Sequence, residues 1–253
     1  MRRTSAITEP IFIIKEELYK IMETFNCIVG AAFCGSAARG EEAYVFNQGR
    51  KRIYSDIDFI IVTKSVKDIK EVSHGIDNEI RRAKENKIIK EVTDEHFKFS
   101  YSIYPYKRLK YLDKRFIHFE TKCANNQFYG QADVIKGMPD ITISNLNWAE
   151  LLTIPLHRMI NVIAESCNMD SLYKYYLICR NILDILTVIF PFEGYLIPTY
   201  GLRLQNIDKL MNSTELRSSF NLNGLIPIMN YCYRVKLFPQ LYRMREFDYI
   251  HLL

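Results

Sequence analysis

Apolar positions in the first hundred residues alternate between two periods. Between Ile11 and Phe25, the residues Ile14, Leu18, Ile21 and Phe25 recur at helical spacing with Lys and Glu between them, which predicts an amphipathic helix. Cys27 to Cys34 is then a continuous apolar run of strand length that stops at Gly35. The small residues Ser36 to Gly40 suit a tight turn into a helix start. A polar stretch with Asn47, Gln48 and Gly49 reads as a loop. Asp56 to Val62 is β-branched and aromatic and predicts a strand buried for most of its length. Ile69 to Asn86 predicts a helix, with Ile76 and Ile80 set among charges. Phe97 to Tyr104 predicts a second aromatic strand, closed by Pro105.

The pattern changes near Asn145 to Trp148. Beyond it, Leu151, Ile154, Met159 and Ile163, then Leu172 to Ile189, then Leu225 to Leu237, all recur at helical spacing. Prolines at 155, 191, 198, 227 and 239 are expected to punctuate these helices. The predicted class is α+β, with a mixed sheet flanked by helices over residues 1–142 and a helical domain over 143–253. No internal repeat or low-complexity tract is visible.

Composition narrows the class further. The 253 residues are 48% hydrophobic and 25% charged, proportions that exclude a disordered, collagen-like or coiled-coil chain. The longest apolar stretch, Ile185 to Phe192, falls short of the roughly 20 residues a spanning helix needs, and Arg180 and Asp184 interrupt it upstream, so no membrane segment is expected. Met1 to Thr4 carries charge but soon meets Glu9 and Pro10, so no secretory signal is expected either. Six cysteines show no CxxC pair and no Cys/His ligand spacing, which gives no indication of zinc and suits reduced thiols in a cytoplasmic protein. The histidines at 74, 96, 118, 157 and 251 are isolated from any nucleophile. The net charge of +5 is spread over the chain and gives no reason to expect nucleic-acid binding. Arg50-Lys51-Arg52 is the local basic run that stands out, as a solvated loop or as a basic flap over phosphates.

Two short segments carry chemistry. In a strand, Asp56 and Asp58 project to one side while Ile57 points away. Carboxylates held that close repel unless a cation lies between them, and magnesium takes such oxygen ligands together with substrate phosphates. The plain alternative is a pair of acids at a strand end beside a loop. Gly35-Ser36, following a buried run, lets backbone approach a phosphate closely and adds a hydroxyl donor; a simple strand-to-helix turn is the plain alternative here.

Taken together, Cys34-Gly35-Ser36-Ala37-Ala38-Arg39-Gly40-Glu41 and Ser55-Asp56-Ile57-Asp58-Phe59-Ile60-Ile61-Val62 resemble the nucleotidyltransferase superfamily, with its polymerase-beta-like fold. The wording is most similar to the minimal and aminoglycoside branches of bacteria. The resemblance implies that Gly35 and Ser36 hold the β- and γ-phosphates of a nucleoside triphosphate and that Asp56 and Asp58 bind Mg2+. It implies that Arg39 reaches phosphate or ties down an acidic neighbour. The implied reaction moves a nucleoside monophosphate to a hydroxyl acceptor, a small molecule or a protein, and releases pyrophosphate. Helical domains beside this fold generally wall the acceptor, which makes Tyr200 and Arg203 acceptor-side candidates, an interhelical turn being the other reading.

Two departures stand against the family pattern. Ser36 and Asp56 are separated by more residues than usual, the surplus lying around Tyr44 to Tyr54. The expected third carboxylate, a metal ligand or general base, is missing from Phe97 to Tyr104, and Asp94, Glu95 and Asp133 are its candidate substitutes. A catalytically silent nucleotide-binding or protein-interaction module, as in a toxin–antitoxin pair, is therefore a second expectation.

Overall fold

A computed structural model describes residues 9–130, 133–165, 170–211 and 222–242. It divides the chain into two compact units, one formed by residues 1–112 and 124–139 and the other by 113–123 and 140–253. The class is α+β: a mixed four-stranded sheet flanked by helices, and a helical C-terminal region.

In the first unit, α1 (Pro10–Glu23) starts with proline at its first position, where the missing N–H costs nothing, and buries Ile14, Leu18, Ile21 and Met22 on one face. Then come β1 (Ile28–Cys34), the short α2 (Gly35–Arg39), a β2–β3 hairpin (Tyr44–Asn47 and Arg50–Ile53) and β4 (Ile57–Thr63). They are followed by α3 (Asp68–Glu85), α4 (Lys87–Val92) and β5 (Phe99–Pro105). The sheet order is β5-β4-β1-β6, with β6 covering Gln127–Tyr129. Strand β4 pairs antiparallel with β1 and parallel with β5, so the sheet is mixed.

Helix α3 buries Val72, Ile76, Ile80 and Ala83, an i, i+4, i+8, i+11 stripe in an otherwise charged helix. Each large aliphatic side chain in that stripe contributes roughly 1.5–3 kcal/mol of burial. The Tyr101 hydroxyl donates to Asp77 of α3 at 2.5 Å and the Tyr101 ring stacks on Phe59, so odd-numbered β5 residues face the helix layer. Ser100 and Ser102, on the opposite face, are exposed.

The segment expected as a loop around Asn47 to Gly49 is instead the tip of the β2–β3 hairpin. Gln48 and Gly49 have φ of 51° and 75°, the paired left-handed conformation of a tight two-residue hairpin turn. Glycine supplies the second of these at no steric cost, and Tyr44 facing Ile53 and Val45 facing Arg52 belong to a ladder that the sequence pattern does not announce.

In the second unit, α5 (Phe116–Ala124), α7 (Trp148–Glu165), α8 (Ser171–Phe192), α9 (Tyr200–Gln205) and α11 (Leu222–Leu237) are the main helices. Among the described residues there are also two short ones, α6 (Val134–Gly137) in the first unit and α10 (Asp208–Met211) here. Of the five prolines expected to punctuate, Pro198 and Pro239 do stand outside the helices, just before α9 and just after α11, and three do not. Pro155, Pro191 and Pro227 lie inside α7, α8 and α11, each forfeiting one ladder hydrogen bond that tertiary packing outweighs.

Helix α8 alone among the described residues has the length and hydropathy of a membrane span, and 56% of its apolar window is buried inside the protein. It carries Asp184, 3% exposed, which accepts a hydrogen bond from the Tyr200 hydroxyl. A buried, bonded carboxylate in mid-helix identifies α8 as a core helix of this unit. Cys167 and His251 lie outside the described residues.

His118, on α5, is buried with Nδ1 2.7 Å from the Asp113 carbonyl, and burial holds its imidazole below the usual value. A lowered folded-state value means that the unfolded chain takes up the proton first. Stability is therefore complete above the free imidazole range near 6.5 and falls as pH drops below it. Urea midpoints measured from pH 7.5 to 5 should decline in the wild type and decline less in His118→Gln.

Candidate nucleotide site

The two motifs meet through one antiparallel pair. Cys34, the last residue of β1, lies across the ladder from Asp58 in β4. Gly35 therefore leaves the strand directly beside the Asp58 side chain, with φ +55°, and a Cβ added there would stand 2.8 Å from Asp58 Oδ2. A side chain at this position is opposed twice: the backbone is in the left-handed region, and a Cβ would press on the carboxylate. Gly35→Ala should cost about 1–3 kcal/mol of stability in urea unfolding and displace the Asp58 carboxylate. Ser36 follows, 8% exposed, in the first turn of α2.

Asp56 stands one residue before β4, which begins at Ile57 and not at Asp56 as the sequence predicted. Ile57 is fully buried and donates its N–H to the Lys98 carbonyl at 2.9 Å, while Asp56 and Asp58 on either side of it are half-buried. A backbone extended through Ile57 would set both carboxylates on the side away from its side chain, and Asp58 is the one that meets the Gly35 turn.

Arg39 turns inward. Its Nε donates to Glu41 Oε2 at 2.9 Å, and both side chains are more than nine-tenths buried. Of the two roles implied for Arg39, the structure therefore displays the tie to an acidic neighbour. The pair locks the C-terminal end of α2, where the Glu41 amide also donates to the Ser36 carbonyl at 3.0 Å. Asn126 braces the other side, its side-chain amide donating to the Ala37 carbonyl at 3.3 Å. Sequence reasoning passed over Asn126, because nothing local marks a residue 89 positions away as a brace.

The hairpin does not separate the motifs in space. Its base is closed by Tyr54 N–H to the Ala43 carbonyl at 2.8 Å, and by Ala43 N–H to Ser55 Oγ at 3.1 Å, one residue before Asp56. That closure brings Glu41 and Glu42, 3% and 5% exposed, to the hairpin base next to the Ser55-Asp56 step. An acid doublet just ahead of an apolar strand was the available signal for them. Burial raises the nearby Tyr44 phenol, with Glu42 and Glu9 adding to the shift. The basic run is partly committed: Lys51 contacts Glu9 at 2.5 Å and lies 3.9 Å from the Tyr44 ring centre, and Arg50 lies 3.3 Å from Glu91.

The residue opposite Asp58 on β5 is Ser100. No acid occurs anywhere on β5. Asp133 is occupied elsewhere, accepting from the Lys136 amide as the N-cap of α6 and pairing with the Lys136 ammonium at 3.0 Å, which together hold its carboxyl low. Asp94, Glu95 and His96 gather their ligand atoms within 4.8 Å of one another, and Asp94 accepts from the His96 amide at 3.4 Å in the turn leading into β5.

The acceptor-side candidates are corrected. Arg203 is fully buried and Tyr200 is 4% exposed. Arg203 donates from Nη2 to Glu120 at 2.6 Å, from Nη1 to Thr187 at 2.7 Å and from Nε to the Ile197 carbonyl at 2.9 Å. Buried acids on α5 and α8 draw both side chains into the core of the second unit, where they cannot touch an acceptor.

No protein-family model and no curated protein matches this chain.

Proposed function

We propose that the protein is a magnesium-dependent nucleotidyltransferase that moves a nucleoside monophosphate from a nucleoside triphosphate to a hydroxyl acceptor and releases pyrophosphate. The observation that supports this reading is the approach of Asp58 to the Gly35-Ser36 turn, so close that a Cβ at Gly35 would displace the carboxylate. The donor set fits the ion: the carboxylate oxygens of Asp56 and Asp58 are hard ligands of the kind Mg2+ takes alongside phosphates. A bound magnesium ion would supply charge neutralisation at the α-phosphate and the leaving pyrophosphate. The protein's own share is positioning. Gly35 admits the phosphates to the backbone, Ser36 offers a hydroxyl donor, and Arg39, through Glu41, keeps the short helix behind them in place. The acceptor oxygen forms a bond to the α-phosphorus and gives up its proton to solvent, as the bridging oxygen leaves with pyrophosphate. The cysteines among the described residues form no disulfide with one another, which suits a cytoplasmic setting.

A second reading has one observation in its favour. Ser100 stands opposite Asp58, where an acid would complete the usual trio, as in a silent nucleotide-binding module whose target is a partner protein. Incubating the protein with Mg2+ and each labelled triphosphate in the presence of cell extract separates the two. Pyrophosphate release that disappears with EDTA supports the enzyme. Triphosphate binding without release, over broad acceptor mixtures, supports the module.

A further inference from the structure

The end of the sheet remote from Asp56 and Asp58 carries a different kind of surface. Strands β4 and β5 run parallel with Thr63 paired to Pro105, so the segments that follow them leave the sheet side by side. One continues through Lys64, Lys67 and Lys70 and the other through Lys107, Arg108 and Lys110, and all six cations are exposed. Their acidic company in these segments is Asp68, which accepts from the Ser65 amide at 2.8 Å, and Glu71. The local excess is four positive charges, beside an excess of five for the whole chain.

Aromatic rings interleave with these cations. Tyr106 and Tyr111 are 45% and 73% exposed on the same 3₁₀ turn (Tyr106–Tyr111), and the Lys110 ammonium lies 4.8 Å from the centre of the Tyr111 ring. Between the two segments opens a cleft of about 500 Å³, walled by Ile69, Ile103, Tyr104, Pro105, Arg108 and Tyr111. That volume lies within the roughly 300–1,000 Å³ of small-molecule sites.

We infer that this surface binds single-stranded nucleic acid. Point cations along a ridge neutralise successive phosphates, exposed tyrosines offer stacking faces to unpaired bases, and the apolar cleft beside Tyr111 and Arg108 takes one splayed base. An acidic peptide has no use for two exposed rings and an apolar cleft. An anionic membrane favours a broad apolar rim that inserts, whereas the exposed side chains here are lysine, arginine and tyrosine with one aliphatic residue, Val66, among them. The inference does not rest on chemistry at Asp56 and Asp58, about 20 Å away along a seven-residue strand.

The test is fluorescence anisotropy with labelled 12-mers of oligo(U) and oligo(dT), a hairpin duplex and phosphatidylglycerol vesicles, using the full chain at 50–200 mM salt. Saturable binding of either single strand, tighter than the duplex, is expected, the RNA and DNA arms telling which sugar is preferred. Lys107→Ala/Arg108→Ala/Lys110→Ala should weaken binding at least tenfold and lower the slope of log affinity against log salt by about 2. Tyr111→Ala should weaken it about tenfold with the slope unchanged. All of these side chains are at the surface, and circular dichroism of the variants should match the wild type. No saturable strand binding at 50 mM salt, a triple variant that binds like the wild type, duplex binding as tight as single-strand binding, or binding to vesicles alone would each overturn the inference.

Discussion

Replacing Asp58 with Asn is expected to lower magnesium-dependent pyrophosphate release about a thousandfold, the scale seen when a preorganised electrostatic contact to a transition state is removed. The carboxylate against the Gly35 backbone is the group best placed to fix an ion relative to the phosphates, and Asn keeps its shape while losing its charge. Thermal unfolding should not fall with it. In metal-free buffer the double variant Asp56→Asn/Asp58→Asn should be as stable as the wild type or slightly more so, because two neighbouring like charges have been removed. Activity lost with stability retained places the pair in function. A marked drop in melting temperature would make the acids structural instead.

Arg203→Met is expected to destabilise the second unit by about 3–5 kcal/mol, because it leaves a buried charge without its partner. Glu120 is 7% exposed and loses its 2.6 Å contact with Arg203, while Thr187 and the Ile197 carbonyl lose their donor. The guanidinium also lies 5.0 and 5.1 Å from the centres of the Phe116 and Tyr200 rings, contacts that methionine replaces only in part. The double variant Arg203→Met/Glu120→Leu should recover part of the loss, since an apolar pair no longer strands a charge. Urea unfolding of the single and double variants checks both statements. Equal stability of Arg203→Met and wild type would refute the assignment of Arg203 to the core.

The elements with a clear period were legible. Ile14, Leu18 and Ile21 specify α1, and the apolar run to Cys34 specifies β1, because each pattern has a single face or length that satisfies it. Alternation around Ile57 gave the expectation that Asp56 and Asp58 share a side, and of the two it is Asp58 that the ladder sets against the Gly35 turn. The hairpin was not, since its strands are four residues each and its turn uses Gln48 in a left-handed conformation that few residues advertise. Arg203 was open to two readings, an acceptor-side group or part of an interhelical turn, and nothing local marks it as a buried cation. Its partner Glu120 is 83 residues away, and burial of such a pair is decided by tertiary packing alone. The cationic ridge was invisible for a related reason. Lys64 to Lys70 and Lys107 to Lys110 are ordinary in separate segments, and only the parallel pairing of β4 with β5 brings them together.

The facing of Cys34 and Asp58 makes the site hostage to ladder alignment. A slide of one position between these two strands would set Ile57 or Phe59 against the glycine and send the carboxylate to the opposite side of the sheet. Substitutions at Ala31, Ala32, Ile60 or Ile61, deep in the protein and far from any phosphate, thus have a route to the chemistry: they act as the keel that keeps it on course.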